Sequence, residues 1–196
     1  MNLKKPKFWD YKKPNIYAYI LYPLTLVIKI LIFFNIKLSK INKKKAKIKT
    51  ICIGNIYIGG TGKTSLSLKI NEILREKKIK SCFIKKFYRT QIDEQRLLKD
   101  KGELFLSSKR VQAIFEAEKK NFDIAICDDG LQDNSIEYDL KFVCFNTINW
   151  IGNGMTLPSG PLRESIKNLK SYEHVFLNGN LENIENIKKQ ILKINP

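Results

Sequence analysis

Two short stretches hold the residues best suited to chemistry. Gly59-Gly60-Thr61-Gly62-Lys63-Thr64-Ser65 gathers glycines, a lysine and hydroxyls, and the apolar run from Ile124 to Cys127 leads directly into Asp128-Asp129-Gly130. Glycines let a backbone curl so that successive N–H groups point at phosphate oxygens, and a helix starting there adds the positive end of its dipole. In such a loop Lys63 reaches the β- and γ-phosphates of ATP and Thr64 ligates Mg²⁺. The strict GxxxxGK[ST] spacing fails at one point, because Tyr57 occupies the position of the first glycine. A buried strand ending in acids is where a nucleotide-binding protein of this type places the carboxylate that holds Mg²⁺. Asp128 is the first ligand candidate and Asp129 the second. Taken alone, the same residues read as a strand running into a turn.

Two further candidates leave alternatives open. Asp93 and Glu94 lie between two apolar runs, where a carboxylate could take the proton from an attacking hydroxyl or simply belong to a solvated loop. The stretch 157–164, Leu-Pro-Ser-Gly-Pro-Leu-Arg-Glu, presents one of the chain's five arginines (Arg75, Arg89, Arg96, Arg110 and Arg163). Arg163 is suited to bidentate contacts with phosphate or carboxylate, or it closes a structural turn against Glu164. His174, the one histidine, begins an apolar run and reads as structural.

Such side chains need a scaffold, and the pattern after residue 47 supplies one. Short runs rich in Ile, Val and Phe predict strands over 49–53, 80–85, 103–106, 123–127, 140–145 and 173–177. Helical periodicity predicts helices over 64–77, with Leu66, Ile70, Ile73 and Leu74 on one face, and over 109–119 and 184–194. Strands alternating with helices imply an α/β fold of the P-loop NTPase type, a mostly parallel sheet covered by helices. Residues 48–196 are thus expected to form a P-loop domain, preceded by a distinct segment, 1–47.

That segment is apolar from Ile16 to Ile36 apart from Pro23, Lys29, Asn35 and a few hydroxyls, with Lys4, Lys5, Lys7, Lys12 and Lys13 before it and seven lysines between 37 and 49 after it. Twenty-one residues are enough to span a bilayer, but Pro23, Lys29 and lysines on both flanks favour a membrane-associated helix lying in the interface. A buried helical hairpin is the alternative. Lys+Arg 36 against Asp+Glu 19 gives a net charge of +17, which calls for an anionic partner. With few arginines among those cations, a lipid surface and a nucleotide are the expected partners and nucleic acid is not. Cys52, Cys82, Cys127 and Cys144 sit far apart in apolar runs, as buried thiols of a reducing compartment do.

In order along the chain, Phe8-Trp9, Gly54-Asn55-Ile56 with the glycine-rich loop, Asp128-Asp129-Gly130-Leu131-Gln132 and the 157–164 stretch resemble the tetraacyldisaccharide 4′-kinase (lipid A 4′-kinase) family. The resemblance implies ATP-dependent phosphorylation, with Mg²⁺, of the 4′-hydroxyl of a lipid A disaccharide precursor at the cytoplasmic face of the bacterial inner membrane. It implies Lys63 as a catalytic group, Gly59, Gly60, Thr61, Gly62, Lys63, Thr64 and Ser65 at the nucleotide, and Thr64 and Asp128 at the metal. Asp128 and Asp129 would serve the reacting centre, while Asp93 would be the general base, Arg110 would lie near the nucleotide, and Glu94, Gln132, Arg163 and Glu164 would line the substrate site.

The chain departs from the family pattern at Lys85-Lys86-Phe87-Tyr88, which stands for Ser-Arg-Gly-Tyr, at Ser65, where a proline is expected, and at Asp133, where a histidine is usual. The resemblance runs to about Asn178-Gly179 and implies a short form lacking most of the C-terminal domain that closes over the nucleotide, so that a partner or a second copy would supply the lid. Alternatives to an active lipid kinase are a membrane-associated nucleotide-binding ATPase and a catalytically impaired homologue.

Overall fold

The structure is a computed structural model that describes residues 5–40, 43–88, 91–180 and 182–196; Lys4 and Arg89 lie outside the described residues. In chain order the elements are α1 (Ile16–Ile20), α2 (Tyr22–Lys40), β1 (Lys44–Lys45), β2 (Lys49–Gly54), α3 (Lys63–Glu76), β3 (Ser81–Lys86), α4 (Ile92–Lys101), β4 (Leu104–Ser107), α5 (Arg110–Lys119), β5 (Ile124–Asp128), β6 (Ile136–Glu137), β7 (Leu140–Asn146), β8 (His174–Asn178) and α6 (Ile184–Leu192). Each expected strand is present with its ends displaced by at most one residue. The chain forms two compact units that interleave along the sequence. The first holds Met1–Leu38, Asn55–Thr61 and Cys144–Pro196; the second holds Ser39–Gly54 and Gly62–Val143.

The second unit is a parallel sheet in the order β4-β3-β5-β2-β7. β5 is central and continuously apolar until Asp128, as a strand covered on both faces must be. Its register sets Ile53 of β2 opposite Asp128 and Ile84 of β3 opposite Cys127, which brings the carboxyl ends of three strands level. The core joins Cys52, Cys82, Cys127 and Ile84 to Ala113, Ile114 and Ala117, which recur at helical spacing on one face of α5.

Two elements differ from expectation. α3 turns Ser67 and Asn71 inward while Ile73 is exposed, because Asn71 is tied to Ser81 Oγ (2.9 Å) and to the carbonyl of Lys101 (3.3 Å), and these polar bonds decide the face. Residues 92–101 form α4, so Asp93 and Glu94 lie in the first turn of a helix and not in a loop. Acidic side chains there meet the positive end of the helix dipole.

In the first unit, the apolar N-terminal segment makes two helices broken at Leu21. Pro23 falls in the opening turn of α2, where a missing N–H removes no helical bond. Tyr22–Ser39 is long and apolar enough to cross a membrane by length and composition. The buried-hairpin alternative is contradicted: Leu31 is 63% and Phe33 61% exposed, as are most large side chains of α2, while Thr25 is buried. The same unit contains Cys144–Asn146 of β7, with β8 beside β7 in the sheet order, and α6, whose Ile187 and Ile191 are buried.

Candidate active site

The glycine-rich loop leaves β2 and ends at α3. Gly59 (φ 132°) and Gly62 (φ 86°) adopt left-handed conformations that favour glycine, and Gly62 caps α3 so that Lys63 and Thr64 open the helix. A Cβ at Gly60 would meet nothing within 4 Å, so the loop is open at that point. Asn55 is fully buried and its amide donates to the carbonyls of Tyr57 (2.6 Å) and Gly59 (3.1 Å), bracing the curve from inside. Thr61 is buried with its hydroxyl unpartnered.

Tyr57 shows why the missing first glycine is tolerated. Its side chain is buried in the first unit, donates to Asp10 Oδ1 at 2.8 Å and accepts from Lys5, while its backbone bridges Leu162. The tyrosine is therefore occupied by the N-terminal segment.

At the carboxyl end of β5, in the second unit, charges collect. Lys63 Nζ lies 4.0 Å from Asp129 Oδ1. Asp129 has φ 54°, a left-handed conformation that aspartate tolerates better than bulkier residues, and its N–H donates to the carbonyl of Ile53 at 2.8 Å. Asp128 is 0% exposed; one carboxylate oxygen pairs with Lys85 and the other, Oδ1, is buried without a hydrogen-bond partner.

Arg110 is buried and its guanidinium donates to the backbone carbonyls of Asp129 (2.6 Å) and Asp128 (3.3 Å) and to Asp133 Oδ2 (3.3 Å). It thus holds the acid loop, and Asp133 is its anionic partner. Gln132 is exposed on the same loop.

No sequence pattern marks Lys85 as a site residue. Its side chain is 2% exposed and bridges Asp128 and Glu94 Oε2, the latter at 2.7 Å. Burial lowers its proton affinity, but the two carboxylates outweigh that and hold the ammonium above its ordinary value. Asp93, one residue before Glu94, is exposed. The same unit therefore brings together Lys63, Asp128, Asp129, Lys85 and Glu94, with Thr64 and Ser65 in the first turn of α3.

The 157–164 stretch belongs to the first unit. The indole N–H of Trp9 donates to the carbonyl of Pro158 (3.0 Å), and Thr25 Oγ1 pairs with Ser159 Oγ (2.7 Å) and accepts from Ser159 N–H (3.2 Å). On its other side Ile58 N–H donates to Pro161 (2.9 Å) and Arg163 N–H to Ile56 (2.7 Å). Two motifs far apart in sequence, Phe8-Trp9 and 157–164, are thus physically joined. The Glu164 carboxylate accepts from Tyr172 Oη and Asn168 Nδ2, both at 2.7 Å. All four cysteines are buried and free, as expected.

Comparison with known proteins agrees with these features. The family model for tetraacyldisaccharide-1-P 4′-kinase matches residues 17–195. A tetraacyldisaccharide 4′-kinase of Pelagibacter ubique (strain HTCC1062) is 60% identical over 196 residues, 100% of this chain and 62% of that protein. The corresponding protein of Francisella tularensis subsp. novicida (strain U112) is 32% identical over 212 residues, 95% of this chain and 64% of its own length. The chain thus spans under two thirds of these curated relatives. In structure it resembles LpxK from Aquifex aeolicus, solved in complex with ATP, with a TM-score of 0.69 and 22% identity over 82% of this chain and 58% of that one, a likeness of fold. By the extent of the family match, this chain belongs to the tetraacyldisaccharide-1-P 4′-kinase family.

Proposed function

We propose that the protein transfers the γ-phosphoryl group of ATP to the 4′-hydroxyl of a tetraacyldisaccharide 1-phosphate, as the names of its relatives suggest. The observation that carries this reading is the juxtaposition, between the start of α3 and the end of β5, of Lys63 with Asp129 and of a buried Asp128 whose Oδ1 has no partner. The N-terminal N–H groups of α3, behind Gly62, hold the phosphates, and Lys63 neutralises charge on the β- and γ-phosphates. Ser65 lies in the same helical turn.

Mg²⁺ fits this donor set, since Thr64 offers a hydroxyl and the orphaned Asp128 Oδ1 a carboxylate oxygen; when bound, it neutralises charge on the transferring phosphate. Asp129 acts beside Lys63 at the reacting centre, and Arg110 steadies the backbone of both aspartates. Asp93, exposed in the first turn of α4, takes the proton of the 4′-hydroxyl as its oxygen attacks the γ-phosphorus and ADP leaves. Glu94 and Gln132, in the same unit as the charge cluster, serve the disaccharide.

The exposed apolar face of α2, flanked by lysines, supports attachment to the cytoplasmic face of the inner membrane, where the lipid acceptor resides. The test is transfer of labelled phosphate from ATP to tetraacyldisaccharide 1-phosphate in mixed micelles. Product with a phosphomonoester at the 4′ position supports the reading. ATP binding with hydrolysis but no lipid product would instead make the protein a membrane-associated ATPase.

A further inference from the structure

The buried lysine has no part in the chemistry described so far, yet it occupies half of the carboxylate assigned to the metal. Parallel pairing puts Ile84 opposite Cys127, so the next residue of β3, Lys85, comes level with Asp128. Both side chains are almost completely buried, and the ammonium is shared between Asp128 and Glu94. Glu94 differs from Asp128 in being 48% exposed, so it is a carboxylate that water can also satisfy. We propose that Lys85 is an internal counter-ion for Asp128 that makes divalent-cation binding conditional on nucleotide. This rests on the assignment of Asp128 as the metal carboxylate.

A divalent cation arriving alone at Asp128 meets a carboxylate already neutralised by a buried ammonium, and like-charge repulsion is strong where water is excluded. Mg²⁺ also sheds water reluctantly and binds through one or two carboxylates supplemented by substrate phosphates, so this site alone gives little return for dehydration. ATP adds negative charge that balances both cations. Glu94 gives the ammonium of Lys85 a second partner, so the lysine stays paired when Asp128 turns to the metal.

The experiment measures Mn²⁺ binding by the loss of its free electron-spin-resonance signal, with intact protein and no nucleotide. Wild type is expected to bind weakly and Lys85→Met at least tenfold more tightly; a folded Lys85→Met that binds no more tightly overturns the proposal. Because that variant leaves Asp128 without its buried partner and could fail to fold, Glu94→Gln gives an independent reading. In it, the tightening of AMP-PNP binding by Mn²⁺ should shrink severalfold relative to wild type, and an unchanged enhancement overturns the proposal. Asp128→Asn separates the two layers. It should abolish the enhancement, whereas an enhancement equal to wild type removes the assignment of Asp128 and the proposal with it.

Discussion

The two units invert the usual distribution of residues in opposite senses. The first puts a helix of apolar side chains on the outside, with Leu31 and Phe33 more than half exposed, while the second puts a lysine and an aspartate inside. Neither arrangement is accounted for by stability alone, because exposed apolar surface and buried charge both cost free energy in water. Each is understandable if completed by a ligand, the helix by a lipid surface and the charge cluster by nucleotide and metal. On the proposed function, the two places where the rules of folding are broken are the two places where the molecule would meet its substrates.

The comparison can be broken first at the charge cluster. Lys63→Ala removes a charge-assisted contact to phosphate and should weaken ATP binding by about 10- to 100-fold, measured by calorimetry, with the fold intact. Unchanged affinity would remove the nucleotide loop from the account. On the other side, Leu31→Lys combined with Phe34→Lys should lower partition into anionic vesicles by roughly tenfold or more, because charges on an inserted helix face are costly. Since both positions are exposed, the melting temperature should stay constant, and retained partition would show that another surface makes the attachment.

The buried joint between the N-terminal segment and the 157–164 stretch should respond less. Thr25→Val leaves Ser159 Oγ and N–H without their partner, costing about 1–3 kcal/mol in urea unfolding. A separate effect concerns pH. Burial raises the thiols of Cys52 and Cys127 and pushes Cys82 up to about 12. Folded thiols then hold protons that the unfolded chain releases near pH 8.5, so this stability is complete below that value and declines as pH rises toward 12. Each thiol contributes a slope of about 1.4 kcal/mol per pH unit while it alone remains protonated in the folded state, which urea midpoints between pH 7 and 10.5 would reveal. A flat profile would contradict the burial of these cysteines.

The strands were legible because each is a short apolar run closed by polar residues, a local signal that tertiary context did not need to supply. α4 was not, since among its residues only Gln95 and Leu98 are buried and the remainder is charged or exposed. Its existence depends on packing against distant elements. Lys85 was illegible for a sharper reason. A lysine ending a strand reads as a solvated edge, and its burial is set by Asp128, 43 residues away in sequence, and by Glu94, 9 away, on a helix that was itself unseen. Tyr57 was visible only as a defect in the glycine pattern, because its compensating partners, Lys5 and Asp10, lie in the N-terminal segment.

Phosphoryl transfer with Asp93 as base can be measured by single-turnover transfer from labelled ATP to tetraacyldisaccharide 1-phosphate, with wild type and Asp93→Asn compared side by side. The account predicts product from wild type and a loss of about 100-fold or more in rate for the variant, with ATP affinity unchanged. Equal rates in the two proteins, or ATP binding without any lipid product from wild type, would contradict it.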